Sequence, residues 1–392
     1  MKAAGIVAEY DPFHAGHAWQ IARARELGAQ AVAVCMSADV TQRGGAALLP
    51  PAVRARAALA AGADLVLALP NPYACLSAEG FAAAGVALLS AVPELDTLVF
   101  GAETPDAGAL LAAARALLHP GFSEALAEQL RGGRPFAAAR AGAAEALCPG
   151  VGALLEGPNN NLGVEYCKAL LRQGSRLAPL PLARMGAAHG QPGPGEGGFA
   201  SASHLRALWE ERGPEALAPY VPAAALALYK EAADAGLDLD RRAFEAAVLS
   251  RLRAMTPAGL AKTRGTGEGL EHLLAGAVRH SGSLEGLYAA MKSKRYAHAR
   301  LRRYVLDAAL GYTSELPPLP PYLQVLGASG RGLELLRGAA LPADASLARL
   351  EKKSAACAAA AAAHAAAADL AALCRRVPQP CGQSYTQKPA LP

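Results

Sequence analysis

Two histidines near the start of the chain could act on a phosphate group. His14 and His17 lie in EYDPFHAGHAWQ, residues 9–20, between the apolar run AAGIVA and a helix-like stretch. Gly16 stands between them, and glycine lets a backbone approach a ligand because it has no Cβ. A helix N-terminus attracts anions, and imidazoles can donate hydrogen bonds to phosphate oxygens as charge builds in a transition state. The pattern predicts that His14 and His17 are catalytic residues at a phosphate site.

A second stretch has the composition of a nucleic-acid contact. The segment MKSKRYAHARLRRY, residues 291–304, contains no acid, and Tyr296 and Tyr304 are interleaved with its cations. The cations are Lys292, Lys294, Arg295, Arg300, Arg302 and Arg303. A solvated helix face usually mixes charges of both signs, so this run predicts contacts to a phosphate backbone, with the tyrosines as stacking platforms.

Alternating elements in the first third of the chain must position the histidines. Four continuous apolar runs predict strands buried on both faces: 3–9, 31–36, 64–70 and 97–101. Helix-compatible segments accompany them: 16–28, 52–62, 76–91 and 105–118. This order predicts an α/β fold with a Rossmann-like parallel sheet, in which ligands bind at the carboxyl ends of the strands.

The remainder of the chain is predicted to be mainly helical. A Gly/Pro-rich segment, 187–206, predicts an exposed loop that leads into a helix capped by a serine. The helices predicted after it are 214–235, 240–256, 268–280 and 283–307, before a proline-rich connector. We therefore expect three regions: a domain over 1–206 that contains the predicted sheet, a basic helical region over 207–312, and a small C-terminal region over 313–392.

Composition limits the class of protein. The chain has 392 residues and a net charge of +5, which is too weak on its own to indicate a nucleic-acid partner. Its seven cysteines are scattered without a CxxC pair, which argues against a zinc site and a disulfide framework and favours a reducing cytoplasm. The alanine-rich tract 355–373 contains His364 and Asp369. Alanine is too weakly hydrophobic for that tract to span a bilayer, so we expect no membrane association.

The HAGH segment resembles the signature of the HIGH-type nucleotidyltransferase superfamily. The sequence as a whole resembles the bacterial tRNA(Met) cytidine acetate ligase family. The matching stretches run in family order over almost the whole chain: GIVAEYDPFHAGH, VCMSADVTQRGG, GADLVLALPNPYACLSAEGFA, LVFGAE, GPNNNLGVEYCKAL, FASASHLR, KSKRYAHARLRR, YLQVLG and YTQKPALP. The resemblance implies a nucleotidyltransferase fold and an enzyme that uses ATP.

Carried over by position, the resemblance implies a set of ATP-binding residues. The first run is Val7, Ala8, Glu9, Tyr10, Asp11, Pro12, Phe13, His14, Ala15, Gly16, His17, Ala18, Trp19 and Gln20. Further contacts fall on Gly101, on Asn159 or Asn160, and on Arg184. SASHLR resembles the second phosphate motif of the superfamily, in which Ser201, Ser203 and Arg206 match.

The resemblance also implies a two-step reaction. Acetate attacks the α-phosphate of ATP, with Mg²⁺ as the expected metal, to give acetyl-adenylate and pyrophosphate. The wobble cytidine of elongator tRNA(Met) then takes the acetyl group on its exocyclic amine and releases AMP. The acetate-binding residues, the base for that amine and the oligomeric state are left open by the sequence.

Several positions differ from the family pattern, and two other functions stay open. Asp11 and Ala15 replace asparagines, Ala38 a glycine, Gly45 an acid, Pro51 a lysine and Ala68 a glutamate. These differences concern the acetate and tRNA contacts more than ATP binding. The alternatives are a small-molecule adenylyltransferase of the same superfamily and a tRNA-binding protein that has lost catalysis.

Overall fold

The computed structural model of the chain describes residues 1–184, 199–267, 269–293 and 296–391. Within these ranges the backbone forms a seven-stranded sheet and a separate two-stranded hairpin. The strands, in chain order, are β1 (Ala3–Ala8), β2 (Ala31–Ser37), β3 (Val40–Thr41), β4 (Gly45–Ala46), β5 (Leu65–Leu69), β6 (Thr97–Ala102), β7 (Ala178–Ala183), β8 (Leu323–Ala328) and β9 (Ala343–Asp344).

Helices connect and cover these strands. Those of the first half are α1 (Ala15–Glu26), α2 (Pro51–Ala60), α3 (Asn71–Ala74), α4 (Ala78–Ser90), α5 (Ala107–Leu118), α6 (Phe122–Arg131), α7 (Phe136–Leu147) and α8 (Pro158–Arg172). Those of the second half are α9 (Ala202–Arg212), α10 (Ala223–Asp234), α11 (Arg241–Arg253), α12 (Pro257–Leu260), α13 (Leu270–His280), α14 (Leu284–Met291), α15 (His298–Leu310), α16 (Gly330–Leu335), α17 (Leu347–Glu351), α18 (Ala355–Leu373) and α19 (Gln383–Thr386).

The large sheet has the strand order β7-β6-β1-β2-β5-β8-β9. Strands β1, β2, β5, β6 and β7 are parallel, and β8 runs antiparallel to β5. The four predicted apolar runs form β1, β2, β5 and β6. The prediction of an α/β fold with a Rossmann-like parallel sheet is therefore confirmed. The carboxyl ends of β1, β2, β5, β6 and β7 share one edge of the sheet, called the carboxyl edge below.

The sheet separates two hydrophobic clusters. Successive side chains of a strand point to opposite faces, so Cys35 packs in one cluster and Val34 and Met36 in the other. Helix α4 lies very close to β1, because a Cβ on Gly85 would lie 2.7 Å from Val7 Cγ2. Because both faces of these strands are buried, their sequences are continuous apolar runs.

Strand β7 is not predicted from the sequence, because Pro179 and Pro181 interrupt its pattern. Proline cannot donate a ladder hydrogen bond, so it is tolerated mainly in edge strands. β7 is the edge strand next to β6, which explains why its prolines are compatible with the sheet.

The predicted helix over 283–307 is wrong as one element, because α14 ends at Met291 and α15 begins at His298. Met291, Tyr296 and Leu301 are all buried. Residues spaced five apart on one continuous helix point in directions about 140° apart. The break between the two helices lets all three side chains reach the core. The predicted helix over 214–235 is likewise shorter, since Pro222 immediately precedes α10.

The C-terminal region contributes to the same sheet as the first region. β8 pairs with β5, and β9 pairs with β8. Helix α18 is long and apolar enough to cross a membrane by length and composition alone, but 56% of its apolar window is buried inside the protein. His364 of α18 accepts a hydrogen bond from the Asn71 backbone N–H at Nδ1, 3.1 Å away. These contacts are typical of a core helix.

Candidate active site

The two histidines form a paired cap at the start of α1, directly beyond β1. His14 Nδ1 accepts a hydrogen bond from the Gly16 N–H (3.1 Å), and His17 Nδ1 accepts one from the His14 N–H (3.2 Å). The two rings are stacked, with centroids 3.7 Å apart. The imidazoles therefore lie at the carboxyl edge, where the sequence places them, and the structure adds that they contact each other.

This geometry fixes which nitrogen of each ring can act on a ligand. A nitrogen that accepts a hydrogen bond carries no proton, so each neutral ring has its proton on Nε2. Burial, reinforced by Arg184, lowers the pKa of His14 to about 4. Burial together with His14 and Arg184 holds the pKa of His17 well below its ordinary value. Both rings are thus neutral Nε2–H donors at neutral pH.

The backbone at the start of α1 is not available to an anion, contrary to the sequence expectation. Ala15 donates its N–H to Tyr220 O (2.8 Å), and His17 donates its own to His14 O (2.9 Å). The Gly16 N–H is occupied by the His14 ring. The hydrogen-bond donors that the start of α1 can still offer to a ligand are therefore the two imidazoles.

Gly16 also lies directly against the ring of His14. A Cβ at this position would lie 3.0 Å from His14 Cε1 and 3.2 Å from His14 Nδ1. Glycine is required because the imidazole occupies the space beside it. The absence of a Cβ at Gly16 therefore supports the His14 cap.

Aromatic side chains form the floor beneath the imidazoles. Tyr10 and Phe13 are fully buried, and their ring centroids lie 4.6 Å and 5.7 Å from that of His17. Tyr229 donates its hydroxyl to Phe13 O at 2.7 Å. Because Tyr10 and Phe13 point into the core, their side chains can serve a nucleotide only indirectly, by holding His17. This limits the side-chain contacts that the run from Val7 to Gln20 can supply.

Arg206 is committed to the turn after β1. Its Nη1 lies 3.2 Å from Asp11 Oδ2 and also donates to the carbonyl oxygen of Asp11. Asp11 Oδ1 accepts from the Leu48 N–H at 2.7 Å. Ser201 caps α9, as predicted, and its Oγ lies 3.1 Å from Ser203 Oγ. The SASHLR motif therefore lies beside the HAGH motif, with Arg206 oriented by a carboxylate.

Arg43 is a site residue that sequence reasoning missed. It lies in the turn of the β3–β4 hairpin, and its Nε is 4.0 Å from Glu9 Oε2. Glu9 Oε1 accepts from the Gln42 N–H at 2.7 Å. Burial raises the pKa of Glu9, whereas the charge of Arg43 acts in the opposite direction. The available signal was the QRGG segment, which follows the second strand.

Buried hydrogen bonds hold this edge of the sheet in place. The Arg54 side chain is fully buried and donates to the carbonyl oxygens of Glu9 (2.8 Å) and Ser37 (2.9 Å). It thus joins the ends of β1 and β2. Asn71 Oδ1 accepts from the Asp39 N–H at 2.7 Å and fixes the start of the β3–β4 hairpin. Neither Arg54 nor Asn71 stands out in the sequence, because both act on backbone groups brought together by the fold.

Gly101 and Arg184 border open space next to the histidines. A Cβ on Gly101 would meet no atom of the described residues within 4 Å, although Gly101 lies within β6. Arg184 follows β7, its N–H donates to Ala102 O (3.0 Å), and its side chain is exposed. No carboxylate of the described residues pairs with Arg184, and its charge influences both histidines. A ligand over Gly101 would therefore lie at the end of β6, beside the strand that precedes Arg184.

The two candidate asparagines are not equivalent. Asn160 is buried and uses its amide on Thr104, accepting from the Thr104 N–H (2.8 Å) and donating to Oγ1 (3.1 Å). Asn159 is half-buried and donates its amide to Glu103 Oε1. Asn160 thus stabilises the turn after β6, and Asn159 is the asparagine that retains an accessible side chain for a ligand.

The basic stretch is divided between two elements. Lys292, Arg300 and Arg302 are exposed, Arg303 is half-buried, and Lys294 and Arg295 lie outside the described residues. The guanidinium of Arg300 stacks over the Tyr296 ring (5.1 Å), and that of Arg302 over the Tyr288 ring (5.3 Å).

The prediction that Tyr296 and Tyr304 are exposed stacking platforms is wrong, because both are buried. The Tyr304 hydroxyl lies within hydrogen-bond distance of Leu260 O and of the Thr266 hydroxyl, inside the helical region. These rings serve the core of the helical region, so the exposed cations alone are available to a phosphate backbone.

Helix α15 lies against the β3–β4 hairpin, which carries Arg43. A Cβ on Gly44 would lie 2.8 Å from the backbone carbon of Arg302, and the φ of Gly44 is +78°. Only glycine suits both the left-handed conformation and this close approach. The N-terminal half of α15 is therefore attached directly to the edge of the candidate active site.

Metal-binding groups do not accumulate at the site. Over the described residues, no cluster of three or more His, Cys, Asp or Glu side chains could hold an ion. The two carboxylates nearest the histidines are already bound, Glu9 by the Gln42 N–H and Asp11 by Arg206. The side chains present do not fit a resident protein-held metal ion.

We predict that the protonation pattern of the two histidines is directly measurable. In long-range ¹H–¹⁵N spectra, His14 and His17 should appear as neutral Nε2–H tautomers at pH 6, with H14Q and H17Q variants providing the assignments. Because their folded pKa values are depressed, their neutral forms contribute stability above pH 6.5, and this stability is lost as pH falls towards 4. Charged rings at pH 6, or Nδ1–H tautomers, would contradict the cap geometry.

Comparison with known families agrees with this geometry. The family model described as HIGH Nucleotidyl Transferase matches residues 1–382. A tRNA(Met) cytidine acetate ligase of Caldanaerobacter subterraneus subsp. tengcongensis is 34% identical over 346 residues, which cover 86% of each chain. The ligase of the same name from Syntrophotalea carbinolica is 35% identical over 353 residues, 86% of this chain and 82% of that protein.

Solved structures agree over the full length. Thermotoga maritima TmcAL bound with alpha-thio ATP has a TM-score of 0.89 and 27% identity, and the match covers 100% of this chain and 99% of that chain. The apo form of the same protein has a TM-score of 0.91 and 28% identity over the same shares. The sheet, the helical region and the C-terminal region therefore occur together in a known arrangement.

Proposed function

Because the chain belongs to the HIGH nucleotidyltransferase family and, within it, to the tRNA(Met) cytidine acetate ligases, we propose that it makes acetyl-adenylate. Acetate and ATP react to give acetyl-adenylate and pyrophosphate, and the acetyl group then passes to the wobble cytidine of elongator tRNA(Met). The observation that carries this proposal is the pair of stacked neutral imidazoles beside Arg184.

The first step is displacement at the α-phosphate. A carboxylate oxygen of acetate forms a bond to phosphorus while the bond from that phosphorus to the bridging oxygen of pyrophosphate breaks. Negative charge accumulates on the α-phosphate oxygens as phosphorus becomes five-coordinate. The Nε2–H groups of His14 and His17 donate to those oxygens, and their fixed orientation means that little reorganisation is needed in the transition state.

Arginines are suited to hold the rest of the triphosphate. Arg184 has an exposed guanidinium next to the histidines, and Arg43 and Arg206 lie around the turn after β1. A guanidinium can bind two phosphate oxygens at once. Mg²⁺ then enters with ATP as part of the substrate, because the protein itself lacks a suitable donor cluster among its described residues.

The second step transfers the acetyl group to RNA. The exocyclic nitrogen of cytidine bonds to the acetyl carbonyl carbon, the bond from that carbon to the AMP oxygen breaks, and the nitrogen loses a proton. The exposed cations Lys292, Arg300 and Arg302 hold the tRNA backbone in this proposal. The contact of α15 with the β3–β4 hairpin supports it, because RNA bound there lies near Arg43 and Glu9.

We assign regional roles on the same basis. Residues 1–206 bind ATP, residues 207–312 bind tRNA, and residues 313–392 complete the sheet through β8 and β9. The expected location is the cytoplasm, where the tRNA substrate is found. All seven cysteines are free, which is compatible with a reducing compartment.

The test is an incorporation assay with labelled acetate, ATP and a panel of tRNA transcripts. Label should enter elongator tRNA(Met) at the wobble cytidine, only with ATP present, and acetyl-CoA should not replace acetate and ATP. Adenylylation of a small molecule without tRNA labelling would support the adenylyltransferase alternative. Binding of tRNA without any turnover would support loss of catalysis.

We predict that Gly101→Val raises the KM for ATP by about tenfold or more without lowering Tm. A Cβ at this position would meet no atom of the described residues within 4 Å, so the added side chain is expected to compete with a bound nucleotide. The matched control is Gly163→Val, in which a Cβ would lie 2.8 Å from Phe100 Cε2. That overpacked variant should lose about 1–3 kcal/mol of stability. An unchanged KM in Gly101→Val would place the nucleotide elsewhere.

A further inference from the structure

The α6–α7 hairpin ends in an unusually exposed tip. Every residue from 131 to 138 is exposed, and α6 buries no residue at all. Gly133 has a φ of +72°, a left-handed conformation that allows the tight turn between the helices. We call residues 131–136 the hairpin tip.

The α7 helix runs so that its tip end lies on the side of the carboxyl edge of the sheet. At its base, the Leu147 side chain lies close to Gly121, just beyond the end of α5. Further along α7, Arg140 Nη1 donates to Asn161 Oδ1 (2.6 Å) in the first turn of α8. That turn lies at the carboxyl edge, since Asn160 contacts the residues after β6. With a rise of 1.5 Å per residue, Phe136 lies about 6 Å beyond Arg140.

The tip combines one sign of charge with an exposed aromatic ring. Phe136 is 63% exposed, and no acidic residue occurs between Gln129 and Ala144. Arg134 donates to the Gln129 side chain, and neither Arg131 nor Arg134 pairs with a carboxylate of the described residues. Arginine and aromatic side chains together are typical of surfaces that bind unpaired bases and their phosphates.

We propose that the hairpin tip is a second RNA contact, on which Phe136 stacks with an unpaired base of the anticodon loop while Arg131 and Arg134 bind adjacent phosphates. This rests on the proposed function. RNA suits the tip better than a protein partner, because the exposed large apolar side chains are Phe136 on the tip and Leu130 just before it. A stable protein interface buries about 800 Å² on each side, more than these side chains supply.

The test is direct binding of a fluorescently labelled anticodon stem–loop of elongator tRNA(Met) to the full chain, measured over a range of salt concentrations. Phe136→Ala should weaken binding about tenfold, and Phe136→Tyr should restore it, since stacking needs only an aromatic face. Arg131→Ala with Arg134→Ala should reduce the slope of log affinity against log salt by about 1.4.

The matched control is Leu333→Ala with Arg337→Ala. Leu333 is 56% exposed and Arg337 is exposed, and they lie in and just after α16, which contacts Asp64 at the opposite edge of the sheet. This control should bind the stem–loop as the unaltered protein does. All tip variants should retain Tm and acetate-dependent ATP–pyrophosphate exchange without tRNA, because the altered side chains are exposed.

The outcomes separate the tip from the proposed function. Equal binding by the unaltered protein and Phe136→Ala, or no binding of the stem–loop by either, overturns the tip proposal. A change of oligomeric state in Phe136→Ala with RNA binding intact also overturns it, in favour of self-association. Tip-dependent binding without acetylation of any tRNA supports the tip and contradicts the proposed function.

Discussion

Replacement of His17 by alanine is expected to lower kcat by about 10²–10³-fold while the KM for ATP changes much less. The lost Nε2–H donates to charge that develops in the transition state, so ground-state binding depends on it only weakly. The same replacement removes the acceptor of the His14 N–H and the ring that stacks on His14. Steady-state acetate-dependent ATP–pyrophosphate exchange measures the effect without requiring tRNA.

A matched histidine exists outside the site. His119 Nδ1 accepts from the Gly121 N–H at 3.1 Å, the same local arrangement as His14 Nδ1 with Gly16. His119→Ala therefore removes a comparable cap without touching the carboxyl edge, and its kcat should stay near that of the unaltered protein. If His17→Ala turns over normally, or if His119→Ala loses as much activity, the imidazoles do not stabilise the α-phosphate.

Charge reversal on α15 is expected to weaken tRNA binding strongly. Arg300→Glu with Arg302→Glu should raise the KM for tRNA by at least tenfold at moderate salt. Binding should also depend less steeply on salt, by an amount that corresponds to the loss of about two phosphate contacts. These two arginines are exposed, whereas Arg303 is half-buried near Asp307, so its reversal would also disturb packing. Acetate-dependent ATP–pyrophosphate exchange, measured without tRNA, should remain near normal.

The control for net charge is Lys352→Glu with Lys353→Glu. Both lysines are exposed between α17 and α18, and either double variant changes the net charge from +5 to +1. Only the α15 variant should affect tRNA. An equal loss of tRNA binding in both variants would mean that only the net charge of the protein matters. No loss in either variant would mean that the basic stretch is a solvated face without a role in tRNA binding.

Part of the fold could be predicted because burial on both faces imposes a simple pattern. The strands β1, β2, β5 and β6 read as unbroken apolar runs for that reason. β7 could not be found, since an edge strand tolerates Pro179 and Pro181. The sequence predicts a proline-rich connector where β8 lies. β8 forms by pairing with β5, which is more than 250 residues away in the chain, so the local sequence does not reveal it.

The candidate site was predictable in residue type but not in detail. The positions of His14 and His17 follow from their place after β1, yet their Nε2–H tautomers depend on two backbone N–H groups at 3.1 and 3.2 Å. For Tyr304 the local sequence is misleading. The basic residues around it predict an exposed ring that stacks on RNA, whereas its hydroxyl forms a hydrogen bond inside the helical region. Local sequence gives the chemistry of a side chain, whereas tertiary packing decides which of its atoms remain free.

The fate of the acetate oxygens tests acetyl-adenylate formation most directly. The protein is supplied with acetate labelled with ¹⁸O at both oxygens, ATP and elongator tRNA(Met), and the nucleotide products are examined by mass spectrometry. Attack of acetate on the α-phosphate predicts AMP that carries one ¹⁸O, unlabelled pyrophosphate and an acetylated cytidine that keeps the other ¹⁸O. Unlabelled ADP together with ¹⁸O-labelled phosphate would contradict the account, since it would place the attack at the γ-phosphate.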